Sequence, residues 1–349
     1  MSGRPIRTEG RETSRAAAVW LAAVAALILA MVIVGGATRA TGSGLSITQW
    51  KPVSGVTPPL SPQDWERLFA LYKAIPQYRL VNPDMNLAAF KGIFWWEWSH
   101  RMLGRLLGVV FLVPFVVLLL RRGIPRRLIG RCVGLFFLGG LQGAVGWWMV
   151  ESGLEFRTSV APERLAVHLA LALALFAACV WTALDAWFGP PALAGRRRLA
   201  WASGLFLAAV YLQCLLGALV AGNHAGLANA DWPMMSGKVF PTDYWQGGVW
   251  TSLVHGLAAT QFNHRLLAYG LLAGGIAQVT AYRRGPNRAA TALASAILAA
   301  LMVQIALGVA TLVLTVPMTL ALAHQFTAAV ILALATALAW NERRPSPVL

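Results

Sequence analysis

AAAVWLAAVAALILAMVIVGGAT, residues Ala16–Thr38, runs without a single charged side chain. As a helix it is roughly 35 Å long at 1.5 Å per residue, enough to cross the ~30 Å hydrocarbon layer of a bilayer. A soluble helix of that length would show a polar face; this one has none, so its solvent is lipid. Outward from it, runs of the same kind cover Cys132–Val150, Leu165–Leu184 and Leu199–Gly222. A longer one, Ala289–Ala323, continues to Trp340. It is too long for one span, and Thr315-Val316-Pro317-Met318-Thr319 is the natural break. Two spans are less clean. One runs from about Phe94 to Leu120 and carries Glu97, His100, Arg101 and Arg105 near its start; the other runs from about Trp250 to Tyr282 and carries His255, His264 and Arg265. The expected fold is an all-α integral membrane protein of eight transmembrane helices.

Composition agrees. Hydrophobic residues make up 58% of the 349 and charged ones 12%, half the share of an ordinary soluble domain (about 25%). The net charge of +16 could suggest nucleic acid, but the positions of the charges exclude it. They sit in short clusters between apolar runs: Arg121, Arg122, Arg126, Arg127 and Arg131; Arg196, Arg197 and Arg198; Arg283, Arg284 and Arg288; Arg343 and Arg344. No compact basic domain remains to hold a nucleic acid. With Arg4, Arg7, Arg11 and Arg15, all these clusters fall on one side of an eight-span chain, the positive-inside pattern. Both termini are therefore expected in the cytoplasm, with segments 39–93 and 223–250 facing outward as ordered, Trp- and Pro-rich caps. Glu9 and Glu12 argue against a mitochondrial transit peptide. Cys132, Cys179 and Cys214 all lie inside apolar runs, so no structural disulfide is expected.

The chain repeats itself. Gly44-Leu45, Trp50 and Ser54-Gly55 match Gly226-Leu227, Trp232 and Ser236-Gly237 at an offset of 182. His100-Arg101 matches His264-Arg265 at 164, Gln142 and Gly146 match Gln304 and Gly308 at 162, and His168 matches His324 at 156. Four spans per unit give both units the same orientation, a parallel repeat, which disfavours transporters of the inverted-repeat kind. The expected organisation is a cytoplasmic tail (1–15), an N-terminal four-helix half (16–188), a cytoplasmic linker (189–198), a C-terminal four-helix half (199–341) and a second tail (342–349).

Each unit carries one histidine on its second span and one on its fourth. His100 precedes Arg121 by 21 residues, His264 precedes Arg283 by 19, and His324 precedes Arg343 by 19. That is roughly 28–32 Å of helix. His168 lies 21 residues before Gly189-Pro190. All four imidazoles are thus expected at the outer boundary of the hydrocarbon. A lone histidine on an apolar helix usually satisfies an interhelical hydrogen bond; four at one depth, paired by a repeat, mark a site. Two neutral imidazoles on facing helices suit bis-histidine haem ligation. Zinc or copper competes, but no carboxylate or cysteine recurs beside both pairs to complete a sphere. His224 and His255 have no histidine counterpart and read as interfacial or loop residues. Arg101 and Arg265 either snorkel to the interface or pair with haem propionates. Trp95-Trp96-Glu97-Trp98 reads as an interfacial aromatic belt.

The halves differ at one telling place. Glu97 corresponds to Gln261 at offset 164, each three residues before its histidine. A carboxylate can take a proton or stabilise developing positive charge, and an amide cannot titrate. The first half is therefore expected to react and the second to hold a permanent haem; an acid at a helix start is the plainer alternative for Glu97.

At this point a family comes into view. Trp95-Trp96-Glu97-Trp98-Ser99-His100-Arg101-Met102-Leu103-Gly104-Arg105 resembles the Glu-x-x-His-Arg segment of haem A synthases. Trp147-Trp148-Met149-Val150 with Ser152-Gly153-Leu154, Arg164-Leu165 and His168-Leu169 is similar to the same family's third and fourth helices. So are Ala225-Gly226-Leu227 with Trp232-Pro233-Met234, and Asn263-His264-Arg265. The resemblance runs from about Val34 to the end of the eighth span. It implies oxidation of a methyl group of haem O to the formyl group of haem A, for terminal oxidase assembly in a bacterial inner membrane. It further implies that His100, His168 and Arg101 hold the substrate haem beside a catalytic Glu97, and that His264, His324 and Arg265 hold a haem b cofactor. Implied partners are haem O as substrate, haem O synthase and cytochrome oxidase assembly factors, with a homo-oligomer an option and the electron partner unassigned. Some members carry a cysteine pair in the first outer loop; 39–93 has none, so the chain resembles the cysteine-free branch. Two other readings of the histidines are a di-haem quinol-oxidising electron-transfer protein and a haem carrier or transporter.

Overall fold

The computed structural model describes residues 13–190 and 197–343, and these are helical with no strand among them. Most of both tails and of the linker therefore lies outside the described residues. The long helices are α1 (Arg15–Ala40), α4 (Leu87–Leu120), α5 (Arg126–Glu151), α6 (Pro162–Phe188), α7 (Arg197–Gly222), α9 (Leu257–Arg283), α10 (Arg288–Val313) and α11 (Met318–Asn341). Three short ones, α2 (Pro62–Lys73), α3 (Pro76–Val81) and α8 (Val249–His255), lie in the segments between. Seven helices, all of the long set but α9, are long and apolar enough to cross a membrane. α9 has the length, 27 residues, but carries Gln261, Asn263, His264, Arg265 and Gln278.

The boundaries follow local chemistry. Ser14 accepts from the Ala17 N–H at 3.2 Å and starts α1; Asn86 accepts from Ala89 N–H at 2.9 Å and starts α4 at Leu87, ahead of the expected Phe94. The long run to Trp340 breaks where expected: Thr315 and Val316 turn at φ +59° and +58°, and Pro317 caps α11. One span is corrected. The run from Trp250 to Tyr282 is not continuous, because Gly256 adopts extended backbone between α8 and α9. A Cβ at Gly256 would lie 2.4 Å from the Ser252 carbonyl oxygen, so the break needs glycine.

The long helices form two closed rings. In the first, α1 packs on α4 and α6, and α5 packs on both α4 and α6; in the second, α7 packs on α9 and α11, and α10 on both of those. α6 against α7 and α11, and α1 against α11, join the rings. The common core is aliphatic and aromatic, with Leu21, Val24, Leu128, Ile297, Leu332 and Leu338 almost wholly buried. A separate cluster lies over the end of the first ring at which α4 begins. There α2 turns Trp65, Phe69 and Tyr72 onto Phe90 and Phe94 of α4, with Trp65 to Phe94 at 4.9 Å and Phe69 to Phe90 at 5.1 Å between ring centres. Spacing of i, i+4, i+7 puts all three on one face of α2. The outer segment is a folded cap.

At the opposite end of the helices a buried acid ties three of them. Asp185 of α6 pairs with Arg131 of α5, and it accepts from the Trp340 indole N–H of α11 at 2.7 Å. Arg127 adds a bond of 2.8 Å to the Asp185 carbonyl. Asp185→Ala is expected to remove the first two and lower stability by about 1–3 kcal/mol. A fall in the thermal unfolding midpoint of detergent-solubilised protein measures it; an unchanged midpoint would mean the ion pair contributes nothing net.

A candidate site of paired histidines

Each histidine is seated by a glycine on the preceding helix of its ring. A Cβ at Gly35 of α1 would lie 2.9 Å from His100 Cε1 of α4, and one at Gly146 of α5 would lie 2.9 Å from His168 Cε1 of α6. In the second ring the distances are 3.1 Å from Gly217 of α7 to His264 of α9 and 2.9 Å from Gly308 of α10 to His324 of α11. Any side chain at these four places would push the ring away. The two histidine helices of each ring are diagonal; the His264 and His324 imidazoles approach each other across theirs.

In the second ring they meet at a separation that suits a metal. His264 and His324 ring centres are 6.3 Å apart, with the planes at 70°. Two imidazole nitrogens about 2 Å either side of a metal, with ring centres roughly 1.2 Å further back, come to ~6.4 Å. No cluster of three His, Cys, Asp or Glu side chains able to hold a metal ion occurs among the described residues.

Glutamines attend the rings. Gln142 Nε2 donates to the His168 carbonyl at 3.0 Å and lies 3.2 and 3.3 Å from its two ring nitrogens. Gln213 does the same for His264, at 2.9, 3.1 and 3.4 Å. Gln304 Nε2 is 3.3 Å from His324 Nε2, while its carbonyl is 3.1 Å from His324 Nδ1. The sequence reading noted Gln142-Gly146 and Gln304-Gly308 but missed Gln213-Gly217. The signal was present: a glutamine four residues before a glycine, one turn apart on the helix preceding each of three histidines.

Glu97 is buried, 3% exposed, and accepts at both oxygens. Oε2 takes bonds from Ser46 Oγ (2.8 Å) and the Ile47 N–H (2.7 Å); Oε1 takes two from Arg101, at 2.6 and 3.1 Å. Arg101 also donates to the Gln49 and Ile47 carbonyls at 3.0 and 2.7 Å. The second ring repeats this geometry with reversed polarity. Gln261 donates to the Ala225 and Asn229 carbonyls at 2.9 and 3.2 Å and accepts from Arg265 at 3.0 Å; Arg265 donates to Met234 and Asp231 carbonyls at 2.9 and 3.0 Å. The first loop offers donors to a carboxylate, and the second offers acceptors to an amide. Each loop is built for its own residue, so the Glu97/Gln261 difference is structural as well as chemical. Glu97 is no exposed helix-start acid: ten residues of α4 precede it.

Two residues outside the predicted set belong to the rim. Arg39, one turn outward from Gly35 on α1, has its Nη2 buried with no hydrogen-bond partner among the described residues. It lies near His224, which burial first and the Arg39 charge second hold below the usual histidine pKa. His224 sits at φ +53° beyond α7, matching Gly42 at φ +66° beyond α1; it serves as a helix-end turn. His255 approaches Glu163 of α6 at 3.8 Å, a link between the rings.

Fold and site together define a class: a polytopic helical membrane protein with paired imidazoles inside two helix rings. The chain belongs to the haem A synthase family. The family model described as cytochrome oxidase assembly protein matches residues 18–336. A heme A synthase of Caulobacter vibrioides is 55% identical over 340 residues, 96% of this chain and 98% of the relative. Those of Maricaulis maris and Bradyrhizobium diazoefficiens are 46% and 47% identical, covering 95% and 93% of this chain and 97% and 91% of their own lengths.

Proposed function

We propose that this chain is an oxidoreductase that converts a methyl group of haem O to the formyl group of haem A. The first ring is the substrate site, with His100 and His168 as ligands and Glu97 beside them. The second ring holds haem b between His264 and His324, and bound haem b supplies one-electron transfer. The 6.3 Å separation of the latter pair supports the ligand assignment. The observation that carries the division of labour is the pair of loops with opposite hydrogen-bond polarity around Glu97 and Gln261. Converting methyl to formyl takes hydrogen from one carbon, with the oxygen atom and the oxidant supplied from outside this chain, so a titratable group has a use in the reacting half that it lacks in the electron-relaying half. Ser46, Ile47 and Arg101 hold the Glu97 carboxylate in place, and the α2 cap keeps bulk water from it. Arg101, Arg265 and Arg39 place positive charge at the outer rim, where haem propionates need it; Arg39 alone of the three has no hydrogen bond to the protein from its guanidinium among the described residues. A quinol-oxidising or haem-carrying protein would leave the Glu97/Gln261 difference without use.

In the membrane, α9 completes the set of eight as the sixth span in chain order. Its Gln261, Asn263 and Arg265 bond the loop at its N-terminal end, and it occupies in the second ring the place of α4 in the first. The rings are the two parallel repeats, and the arginine clusters at the inner helix ends put both termini in the cytoplasm of a bacterial inner membrane. Haem O synthase upstream and oxidase assembly factors downstream are the expected partners. The experiment is pigment extraction after co-expression with a source of haem O. Haem A in the extract, absent without this chain, is the expected result; recovery of haem O and haem b alone would overturn the reading.

A further inference from the structure

The two halves also differ far from their histidines. In the first ring Trp20 of α1 fills the space against α4 and is 6% exposed. Its indole N–H donates to the Val110 carbonyl at 3.0 Å, and its ring centre lies 5.0 and 6.0 Å from those of Phe111 and Phe115. The offset of 182 maps Trp20 to Ala202 on α7, and the offset of 164 maps Val110, Phe111 and Phe115 to Gly274, Gly275 and Val279 on α9. Three aromatic side chains thus become an alanine, a glycine and a valine. The second ring has a cleft of about 570 Å³ between α7 and α9, within the ~300–1,000 Å³ of sites for small organic ligands. Leu205 on its wall is 67% exposed, so the cleft opens at the surface of the helices, which in a membrane is lipid.

The cleft is apolar except at one end. Gln278 and Tyr282, one turn apart on α9, line it there and are 8% and 2% exposed. Neither Gln278 Oε1 nor the Tyr282 hydroxyl has a hydrogen-bond partner among the described residues, although Ser203 and Glu342 lie near the latter. Their counterparts at offset 164 are Pro114 and Leu118, which have no polar side-chain atom. The second half therefore both empties the cleft and adds two polar groups to it. Gln278 is 14 residues beyond His264, roughly 21 Å along the helix, and five before Arg283. It lies inside the hydrocarbon, where no bulk water satisfies an amide and a polar group marks a site.

We propose that this cleft binds the ring of a lipid-soluble quinone and of its quinol. An amide offers an acceptor and a donor, and a phenol hydroxyl can act as either. Gln278 and Tyr282 can thus meet the carbonyls of a quinone and the hydroxyls of a quinol, while the apolar walls suit its isoprenoid tail. A phospholipid is a poorer occupant: its acyl chains bring no polar atom to Gln278, and its phosphodiester has no proton to donate to Oε1. The site stands on side chains of the second half alone; its purpose rests on the functional reading above, in which such a quinone is the outside oxidant. One methyl group, one water and two quinones balance one formyl group and two quinols, with four electrons and four protons passing to the two quinone rings.

The test uses the full chain captured on beads in detergent, with empty micelles as the blank. Tritiated decylubiquinone, a quinone ring on a ten-carbon tail, is titrated onto it. One saturable site per chain is expected. Gln278→Leu and Tyr282→Phe should each weaken binding about 3- to 10-fold, the equivalent of one hydrogen bond. Ala202→Trp, which refills the cleft as Trp20 does in the first ring, should abolish it. The thermal unfolding midpoint of each variant checks that it folds. Absence of a saturable site in the wild type overturns the inference. So does binding within twofold of wild type in both Gln278→Leu and Tyr282→Phe, which would make the cleft a crevice for lipid chains. Should Ala202→Trp prove misfolded, those two polar variants decide. Haem A formation on co-expression without quinone binding overturns this inference alone; quinone binding without haem A formation supports the site and overturns the functional reading.

Discussion

Glu97→Gln is expected to lower haem A formation by about 10²- to 10⁴-fold, the contribution of a positioned acid or base. Haem O or a partly oxidised alcohol form should accumulate on the protein, and the haem b signal should persist because its ligands lie in the other ring. Chromatography of extracted haems, wild type against variant at matched expression, reads the result. The loop around Glu97 complicates a simple isosteric swap. Four donors converge on the carboxylate, and an amide can turn only one oxygen towards them. Ser46→Ala is therefore the necessary companion, since it removes one loop bond and leaves the carboxylate. It should cost no more than about tenfold, the equivalent of one hydrogen bond. If Ser46→Ala were as damaging as Glu97→Gln, Glu97 would be a clamp for the outer loop. Haem A at wild-type levels in Glu97→Gln would remove the catalytic role outright.

His264→Ala and His324→Ala should each abolish the low-spin haem b spectrum of purified protein. Losing an axial ligand is a larger change than losing its hydrogen-bond partner, so the effect should exceed the 10–100-fold of a second-layer substitution. Retention of a normal low-spin spectrum by both variants would show that the 6.3 Å pair is not the ligand set. The paired variants His100→Ala and His168→Ala make the control, because they should leave that spectrum alone.

The membrane class and the break before Pro317 follow from local chemistry, and both were legible in the chain. Uncharged runs of bilayer length have one stable environment, and Pro317 cannot continue a helix. Gly256 was not legible in the same way. Its interruption of the sixth span depends on a backbone clash with Ser252 that no periodicity reports. The amphipathic cap helix α2 was likewise missed as a helix, although Ser61 before Pro62 is a helix-start signal that a closer look at 39–93 could have used.

By itself the sequence determined the kind of solvent around this protein, the four histidines and their spacing along the helices, and the replacement of Glu97 by Gln261 between the two halves. Those are properties of composition and of spacing along a helix, and they need no knowledge of neighbours. Tertiary structure decided what meets what. Only packing brings Gly35 to His100 and Gly217 to His264, and only packing shows that the Glu97 carboxylate is surrounded by donors while Gln261 faces carbonyls. It also reveals that His100 Nδ1 is buried with no hydrogen-bond partner among the described residues. The physical reason is that a hydrogen bond or a close glycine contact between elements joins residues well separated along the chain, from 36 positions for Gln261 and Ala225 to 65 for Gly35 and His100. Chain spacing sets which face a residue occupies, and the arrangement of helices around it sets what that face meets.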